Sequence, residues 1–552
     1  MPEHGMREVR AARKSEGFFS RVFPRLSARH EEQRVRLEEA RLRRELVSQV
    51  GVAFSGYPGA KKDTPYSTWI PGGGSADEDV LGDLHALRER SRDLVRSDPH
   101  AAGIVDCWVS NIVGHGITPQ SRIDRDLLGL TEEQAQEFQR TAERIYRYWG
   151  RTADVTGRLS IVELQALLMR SLFENGDVFA IPRVDETRKI SLAYQVIEAD
   201  RVTTPSQKFN DKSVREGIVV GPSGEHTGYY VKKTHPGDTK SGGWKTDDFA
   251  LIGSTDEAGR RRILHLYRTL RPDQTRGIPF LAPALLLFYD LQQYFRAELI
   301  GAKVAACYSV FVVSKDPYGA AAAAASTARD KAGRPVEFLT PGQVRYLEQG
   351  EEIQGFQPNR PNTAFSDFVM RILRAIGAQV SMPYELVSQD FSQTTYTSGR
   401  MALTEVRRNF RAWQAWFAAK FLQPTWDRVI EEAVLLGELD APKWEEFRDA
   451  YTQVTWVGPG WQWVDPSKEV SATVEAIEKN LTTLADECAT RGADWQEVLI
   501  QRAREREVQE ELGILPATMI PGIPGPSAGD ENDEASPEDA DSKKETPDGS
   551  DN

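Results

Sequence analysis

The chain of 552 residues has only three cysteines and no long uninterrupted apolar run. Cys107, Cys307 and Cys488 lie far apart, without the spacing of a zinc site or a disulfide framework, so we expect a reducing compartment and three small buried side chains. The most apolar stretch, IPFLAPALLLFYDLQQYF, contains Asp290 and two glutamines before it reaches the about 18 residues of a membrane span. The charged N-terminus, MPEHGMREVRAARKSEGFF, lacks the apolar run of a signal peptide. We therefore predict no membrane segment.

Positive charge is also in short supply. The formal net charge is −13 and the isoelectric point lies near 5.4. A protein that wraps nucleic acid tightly neutralises phosphates with clustered lysine and arginine, so this balance argues against that class. A DNA partner stays possible where the contact has to slide.

Familiar catalytic motifs are missing. The sequence has no GxxxxGK[ST] phosphate loop, no GxGxxG after a strand, no HExxH and no GxSxG. Its eight histidines do not cluster, and a helix end followed by a turn explains His115 in VGHGI better than catalysis does. We predict no catalytic residue, no metal ligand and no cofactor, and a structural or mechanical role.

Clear helix signals occupy the first part of the chain, which is long enough for two to four structural regions. In LRERSRDLVRSDPHAAGIVDCWVSNIVGHGI one helix should run to about Arg96. The next has Asp98 as N-cap and Pro99 at its first position, and buries Ile104, Cys107, Trp108 and Ile112. Further helices are predicted over about 131–149 and from residue 161 to the sequence ENGD.

From residue 178 to about 270 the hydrophobic period changes to two, which predicts a β-rich section with hairpins at DETRK and PSG. Apolar residues three or four apart then predict a long helix from Pro279. Strand-like CYSVFVVSKD, a poly-alanine stretch and strand candidates around Val336 and Val344 follow.

Helix signals return from Thr363 to Gln379, near Arg400 for a very long helix, and over about 467–512. Pro424 should kink the long helix, because proline removes one hydrogen bond and clashes with the preceding turn.

The two ends of the chain differ in charge. Residues 1–46 hold twelve Arg or Lys against eight Glu, which is typical of a solvated helix or a docking arm. Residues 530–552 hold ten acids and two lysines, and this tail should be disordered because it has almost nothing to bury.

Four blocks, in order over about residues 80–440, resemble the lambda family of portal proteins of tailed phages. They are LRERSRDLVRSDPHAAGIVDCWVSNIVGHGITPQS, FENGDVFAI, RGIPFLAPALLLFYDLQQYFRAELIGAKVAA and MPYELVSQDFSQTTYTSGRMALTEVRRNFRAWQ. The N-terminal arm, the poly-alanine stretch and the acidic tail fall outside the resemblance.

This resemblance implies an α+β, portal-type fold with a helical wing, a β-rich section, paired stem helices, a small α/β clip and a helical C-terminal crown. The implied layout is N-terminal arm and linker 1–75, wing 76–278, first stem helix 279–306, clip 307–361, second stem helix 362–381, tunnel loop 382–400, long wing helix and connector 401–464, crown 465–515 and disordered acidic tail 516–552.

The resemblance also implies a homo-oligomeric ring, usually a dodecamer, at one capsid vertex of the virion, assembled in the host cytoplasm. Implied partners are double-stranded DNA in the channel, terminase, major capsid and scaffold proteins, and a head-completion protein. A DNA-processing enzyme with dispersed carboxylates and a scaffold or adaptor without a channel remain as alternatives.

The polar stretch DFSQTTYTSGR carries one acid and one base, and falls where portals place the tunnel loop that narrows the channel. The residues expected to face DNA are Gln389, Ser392, Gln393, Thr394, Thr395, Tyr396, Thr397 and Ser398. Gly399 is expected to permit a bend before the long helix begins at Arg400. Alternatively, the stretch is an ordinary connector with Phe391 and Tyr396 packed onto the wing.

Overall fold

The computed structural model describes residues 72–238, 240, 248–307, 310–313, 344–347, 365–461 and 466–513. Predictions for the N-terminal arm, the poly-alanine stretch, the strand near Val336 and the acidic tail lie outside these residues. The chain divides into two compact units, Met1–Gly74 and Ser75–Asn552, and the description below concerns the second.

Helices dominate the first part of this unit. In chain order its elements are α1 Ala76–Val80, α2 Leu84–Ser97, α3 Pro99–Ile112, β1 Thr118–Ser121, α4 Arg125–Leu128, α5 Glu132–Trp149 and α6 Ile161–Asn175. The predicted cap of α3 is confirmed, since the Asp98 carboxylate accepts the backbone N–H groups of His100 and Ala101, each at 2.9 Å. Capping boxes start α5 and α6, at Thr131 and Ser160.

The predicted β-rich section is confirmed as two sheets. Its strands are β2 Asp177–Val184, β3 Leu192–Ile197, β4 Val214–Arg215, β5 Ile218–Val220, β6 His226–Lys232, β7 Phe249–Gly253 and β8 Leu264–Tyr267. One antiparallel sheet has the order β3-β2-β8 and the other β4-β5-β6-β7. A small apolar core that includes Phe179, Ile197 and Tyr229 draws on both sheets.

The helix predicted from Pro279 begins six residues later, as α7 Leu285–Cys307, after a 3₁₀ turn at Ala282–Ala284. Strands β9 Val310–Val313 and β10 Val344–Leu347 pair in parallel, as two of the predicted strand positions. Helix α8 Phe365–Gln379 then packs on α7, with Tyr294 stacked on Phe365 at a ring-centroid distance of 5.5 Å. The two helices predicted on either side of residues 307–361 therefore lie together.

After a short helix, α9 Tyr384–Ser388, the long helix α10 spans Tyr396–Phe417. The predicted start at Arg400 is wrong by one turn, because the Thr395 hydroxyl caps the helix and accepts the backbone N–H of Ser398 at 3.4 Å. Gly399 is consequently helical and provides no bend before α10.

The disturbance predicted at Pro424 takes the form of a π turn, Ala418–Leu422, after which α11 continues over Gln423–Leu435. Proline has no N–H to donate and its ring crowds the preceding turn, and a wider turn relieves both problems. The Thr425 hydroxyl supplies a bond to the Phe421 carbonyl at 2.6 Å.

The remaining elements are α12 Trp444–Tyr451, β11 Val454–Val457, α13 Pro466–Glu478, α14 Leu484–Thr490 and α15 Trp495–Glu511. The last three confirm the helices predicted over about 467–512. Strand β11 pairs with β1 from far along the chain, Val457 opposite Thr118, which no local pattern announced.

One large apolar core joins these helices around Trp108 on α3. Its ring lies 4.8 Å from that of Phe410 on α10, 5.8 Å from Phe173 on α6 and 5.3 Å from Phe280 before α7. Of the cysteines predicted to be buried, Cys488 is, whereas Cys107 is half-buried, and the Cys307 side chain lies outside the described residues. The core therefore fixes the base of α7 against the helices on either side of it in sequence.

Candidate functional site

The segment from Gln389 to Ser398 lies between α9 and the first turn of α10. Its base is held by the core, because Val380, Met382 and Val387 are buried. The Met382 N–H also donates to the Gly377 carbonyl at 2.9 Å. A polar segment is thus presented from a rigid platform.

The structure places the predicted site residues together on this segment. Thr394 is half-buried, and the other seven are exposed: Gln389, Ser392, Gln393, Thr395, Tyr396, Thr397 and Ser398. The last three belong to the first turn of α10 and not to a loop. The side chains of Phe391 and Tyr396 are 53% and 56% exposed, so the alternative in which both pack onto the wing is not seen within this subunit.

Hydrogen bonds within the segment give two of its residues local roles. The Asp390 carboxylate accepts the Ser392 N–H at 3.0 Å, and its hydrogen bonds with Ser392 lower the pKa of Asp390. The hydroxyls of Thr395 and Ser398 lie 2.9 Å apart. The capping role of Thr395 was missed in the sequence, although threonine is a favoured N-cap residue.

A second site is a buried charge cluster around Asp177, the first residue of β2, which the sequence did not reveal. The Asp177 carboxylate is fully buried and receives Nη2 of Arg88 at 2.7 Å and Nε of Arg276 at 2.5 Å. Nε2 of His265, on β8, lies 3.3 Å from its Oδ2. Helix α2, both edges of strand β2 and the chain leading to α7 meet here.

The remaining donors of Arg276 satisfy backbone carbonyls. Nη1 donates to Val202 at 2.8 Å and to Glu216 at 2.6 Å, and Nη2 donates to Ala199 at 3.0 Å. A guanidinium offers five N–H donors in a fixed plane, so this one side chain ties three loops of the β-rich section to Asp177.

Helix α2 contributes a second arginine next to Arg88. Nε of Arg88 donates to the Asn175 carbonyl at 3.0 Å, and Nε of Arg92 donates to the Asn175 side chain at 2.5 Å. Arg92 also forms an ion pair with Asp200. The carbonyl at the end of α6 is therefore satisfied by α2.

Burial and charge shift the pKa values of this cluster in opposite directions. Burial alone would raise the pKa of Asp177, but Arg276 and Arg88 overcome it and hold the pKa well below its usual range. Burial lowers the pKa of Arg88 to about 10, partly offset by Asp177. It likewise lowers the pKa of His265 to about 4. At neutral pH the cluster holds a charged aspartate, charged arginines and a neutral histidine.

Two glycines let the backbones meet beside the cluster. A Cβ atom on Gly277 would lie 1.9 Å from the Gly176 carbonyl oxygen, and one on Gly176 would lie 2.3 Å from the Ile278 carbonyl carbon. Gly176 also has a φ of +86°, in the left-handed region that favours glycine. The end of α6 and the approach to α7 are thus in direct backbone contact.

Three of the four sequence blocks converge at this cluster. Arg88 belongs to LRERSR, Asp177 to ENGD and Arg276 to RGIPF. They bring together chemistry that stabilises a junction and leaves no exposed reactive group, since Arg88, Asp177 and Arg276 are all buried. The fourth block contains the exposed segment at Gln389–Ser398.

Two further searches concern the residues that the structure describes. Within them, no group of three or more His, Cys, Asp or Glu side chains is placed to hold a metal ion. No described helix is long and apolar enough to cross a membrane.

Comparisons with known proteins first define the class. A family profile described as phage portal protein, lambda family, matches residues 62–414. The chain is 26% identical over 485 residues to the portal protein of Escherichia phage N15, covering 81% of this chain and 89% of that protein. It is 25% identical over 480 residues to portal protein B of Escherichia phage lambda, covering 81% and 88%.

The profile spans well over half of the chain, so the chain belongs to the lambda family of phage portal proteins, and the predicted family is confirmed. Solved structures with similarity include the virion of a native gene transfer agent particle, at 14% identity and a TM-score of 0.37, covering 75% of this chain and 95% of that one. The neck of the native particle, computed with C12 symmetry, also has a TM-score of 0.37, with 14% identity and coverage of 74% and 93%.

Proposed function

We propose that copies of this chain form a closed dodecameric ring at one vertex of a phage capsid, and that the central channel conducts double-stranded DNA during packaging and ejection. Membership of the portal family supports the ring. The observation that carries the proposal is an exposed apolar surface on the paired helices α7 and α8.

This surface lies on the part of α7 beyond the core. Leu285, Phe288 and Leu291 are buried, whereas Leu299 and Ile300 are 56% and 61% exposed. An amphipathic helix of one subunit should not leave apolar side chains in water along its far half. In a ring, heterologous contacts repeat around the axis, and each subunit covers the apolar surface of the next.

The proposed layout follows the elements of the fold. The wing combines α1–α6, the two sheets and α10–α11, while α7 and α8 form the stem and β9 and β10 belong to the clip. Helices α13–α15 form the crown, toward the capsid interior. Terminase, the major capsid and scaffold proteins and a head-completion protein would dock on the assembled ring, formed in the host cytoplasm.

We propose that the segment Gln389–Ser398 lies at the narrowest part of the channel. Between Asp390 and Arg400 it has no basic residue, and its hydroxyl and amide groups are mostly exposed. Such groups exchange hydrogen bonds between phosphates and water at a net cost of about 1 kcal/mol or less each. DNA under force could therefore slide past the segment without releasing bound counterions at each step.

Light scattering of the purified chain tests the ring. The expected mass is about ten to fourteen times that of the 61.8 kDa subunit, and negative-stain images should show a central hole, which a scaffold or adaptor would lack. Leu299→Asp should prevent assembly. Leu127→Asp, at a leucine on α4 that is also 56% exposed, is the matched control and should assemble. A parent that stays monomeric, alone and in procapsids, contradicts the proposal.

Lysine substitutions test the place of the polar segment. Ser392→Lys with Gln393→Lys should leave ring assembly intact but impair DNA packaging, because about 24 new cations in a dodecamer would bind phosphates at the constriction. The same Ser-Gln pair occurs at the exposed positions Ser206 and Gln207, which serve as the control. Equal packaging by both variants and the parent would place the segment away from the DNA. Divalent-metal-dependent cleavage of DNA by the parent would support the alternative of a DNA-processing enzyme.

A further inference from the structure

Helix α10 carries two arginines whose guanidinium groups lie over one tryptophan ring. The carbon centres of Arg407 and Arg411 are 5.8 and 5.6 Å from the Trp461 ring centroid. The indole N–H donates to Oδ1 of Asn111 at 2.8 Å, and the ring stacks with Phe410 at 6.1 Å. The aromatic base is therefore fixed, and it restrains both cations by a cation–π contact.

Arg411 keeps its hydrogen-bonding capacity for an outside group. Its side chain is exposed, and no carboxylate among the residues that the structure describes pairs with it. Its contact with Trp461 uses the face of the guanidinium, which leaves the N–H donors in the plane. By contrast, Arg408, also on α10, forms an ion pair with Glu405.

Arg400 extends the same side of the helix toward the polar segment. At 100° per residue, Arg400, Arg407 and Arg411 fall within about 40° of one another, and at 1.5 Å per residue they span about 16 Å. The three form an arginine row that starts one turn after Tyr396.

We propose that this arginine row binds the phosphate groups of DNA in the channel, an inference that rests on the proposed function. Guanidinium groups bind phosphate oxygens through two parallel N–H donors, and a guanidinium restrained by an aromatic ring loses less freedom on binding. The neighbouring segment Gln389–Ser398 carries no basic residue. DNA thus slides along a polar surface and is held at a few phosphates on one side of it.

Salt-dependent binding of DNA to purified rings tests the row. A fluorescent duplex of about 30 base pairs is titrated with rings of the full chain from about 50 to 200 mM salt. Arg400→Gln with Arg411→Gln should weaken binding about tenfold at the lowest salt. The slope of log affinity against log salt should fall by about two, one for each lost phosphate contact. Arg408→Gln, on the same helix, should bind like the parent.

Other outcomes overturn the proposal in distinguishable ways. Rings of the double variant that match the parent in affinity and slope overturn the row alone and leave the proposed function standing. Loss of ring mass in the double variant assigns the row to a neighbouring subunit. If deleting residues 522–552 removes the difference between double variant and parent, the row binds the acidic tail instead of DNA. A parent that forms no ring overturns both proposals.

Discussion

Replacing Arg88 by methionine tests the buried charge cluster. The substitution keeps an apolar side chain of similar length but removes the bonds to Asp177 at 2.7 Å and to the Asn175 carbonyl at 3.0 Å. The Arg88 side chain is only 5% exposed, so water cannot readily replace these bonds. Arg96 lies on the same helix, where it pairs with Asp93 in water at 76% exposure.

The expected effects differ in size. Removing one partner of a buried ion pair costs about 3–5 kcal/mol. Asp177 retains Arg276 at 2.5 Å, which favours the lower end of that range. The Asn175 carbonyl left without this donor adds about 1–3 kcal/mol. We expect Arg88→Met to reduce the free energy of unfolding by about 4 kcal/mol, and Arg96→Met by no more than about 1 kcal/mol.

Urea unfolding followed by tryptophan fluorescence measures this difference, because Trp108 lies in the adjoining core. The midpoint of Arg88→Met should fall by more than about 1 M relative to Arg96→Met. If Arg88→Met is recovered only as insoluble protein, Arg88→Lys retains the charge and should give an intermediate midpoint. Equal midpoints for Arg88→Met and Arg96→Met would refute the view that the cluster stabilises the junction.

Three further predictions address other parts of the chain. Burial raises the pKa of Glu143 to about 7, so the folded state retains a proton and stability is lost as pH rises from about 4.5 through 7. Glu143→Gln should therefore raise the melting temperature at pH 8 but not at pH 4, by an effect of about 1–3 kcal/mol; an equal change at both pH values contradicts this. Gly277→Ala should prevent soluble folding because of its 1.9 Å approach to Gly176, whereas Gly259→Ala, with nothing within 4 Å, tests glycine loss without a steric contact; soluble Gly277→Ala with the parental melting temperature contradicts the contact. Truncation before Pro521 should leave the ring mass unchanged apart from the lost residues, because the tail composition cannot form a packed core.

Local signals predicted much of the fold. The caps of α3, α5 and α6 depend on side chains within three residues of the helix start, so Asp98, Thr131 and Ser160 show in the sequence. The hairpin between β2 and β3 follows from alternation on both sides of a polar turn. These features require no knowledge of distant residues.

Features that depend on distant residues were missed. Strand β1 is specified by its pairing with β11, about 340 residues later. The start of α10 was misplaced because glycine was taken as a break, although Gly399 is tolerated in a helix whose cap is Thr395.

The Asp177 cluster combines residues nearly ninety positions apart, and only one sequence signal pointed to it. Arg88 lies on the buried side of α2, on the same apolar row as Leu84 and Leu94. An arginine on such a row requires a buried partner, but the row cannot say which. For the polar segment, composition was enough to predict exposure, while the hydrogen bonds of Asp390 and Thr395 depend on backbone geometry.

The π turn at Ala418–Leu422 has a consequence for insertions and deletions in this helix. A π turn contains one residue more than an α-helical turn, and each residue rotates the following helix by about 100°. Deleting one of these five residues would give a more regular helix but turn Trp426, Val429 and Ile430 of α11 away from the core. The frame of apolar residues in α11 is therefore set by an irregularity, and a single-residue deletion there should be lethal to folding although it removes a defect.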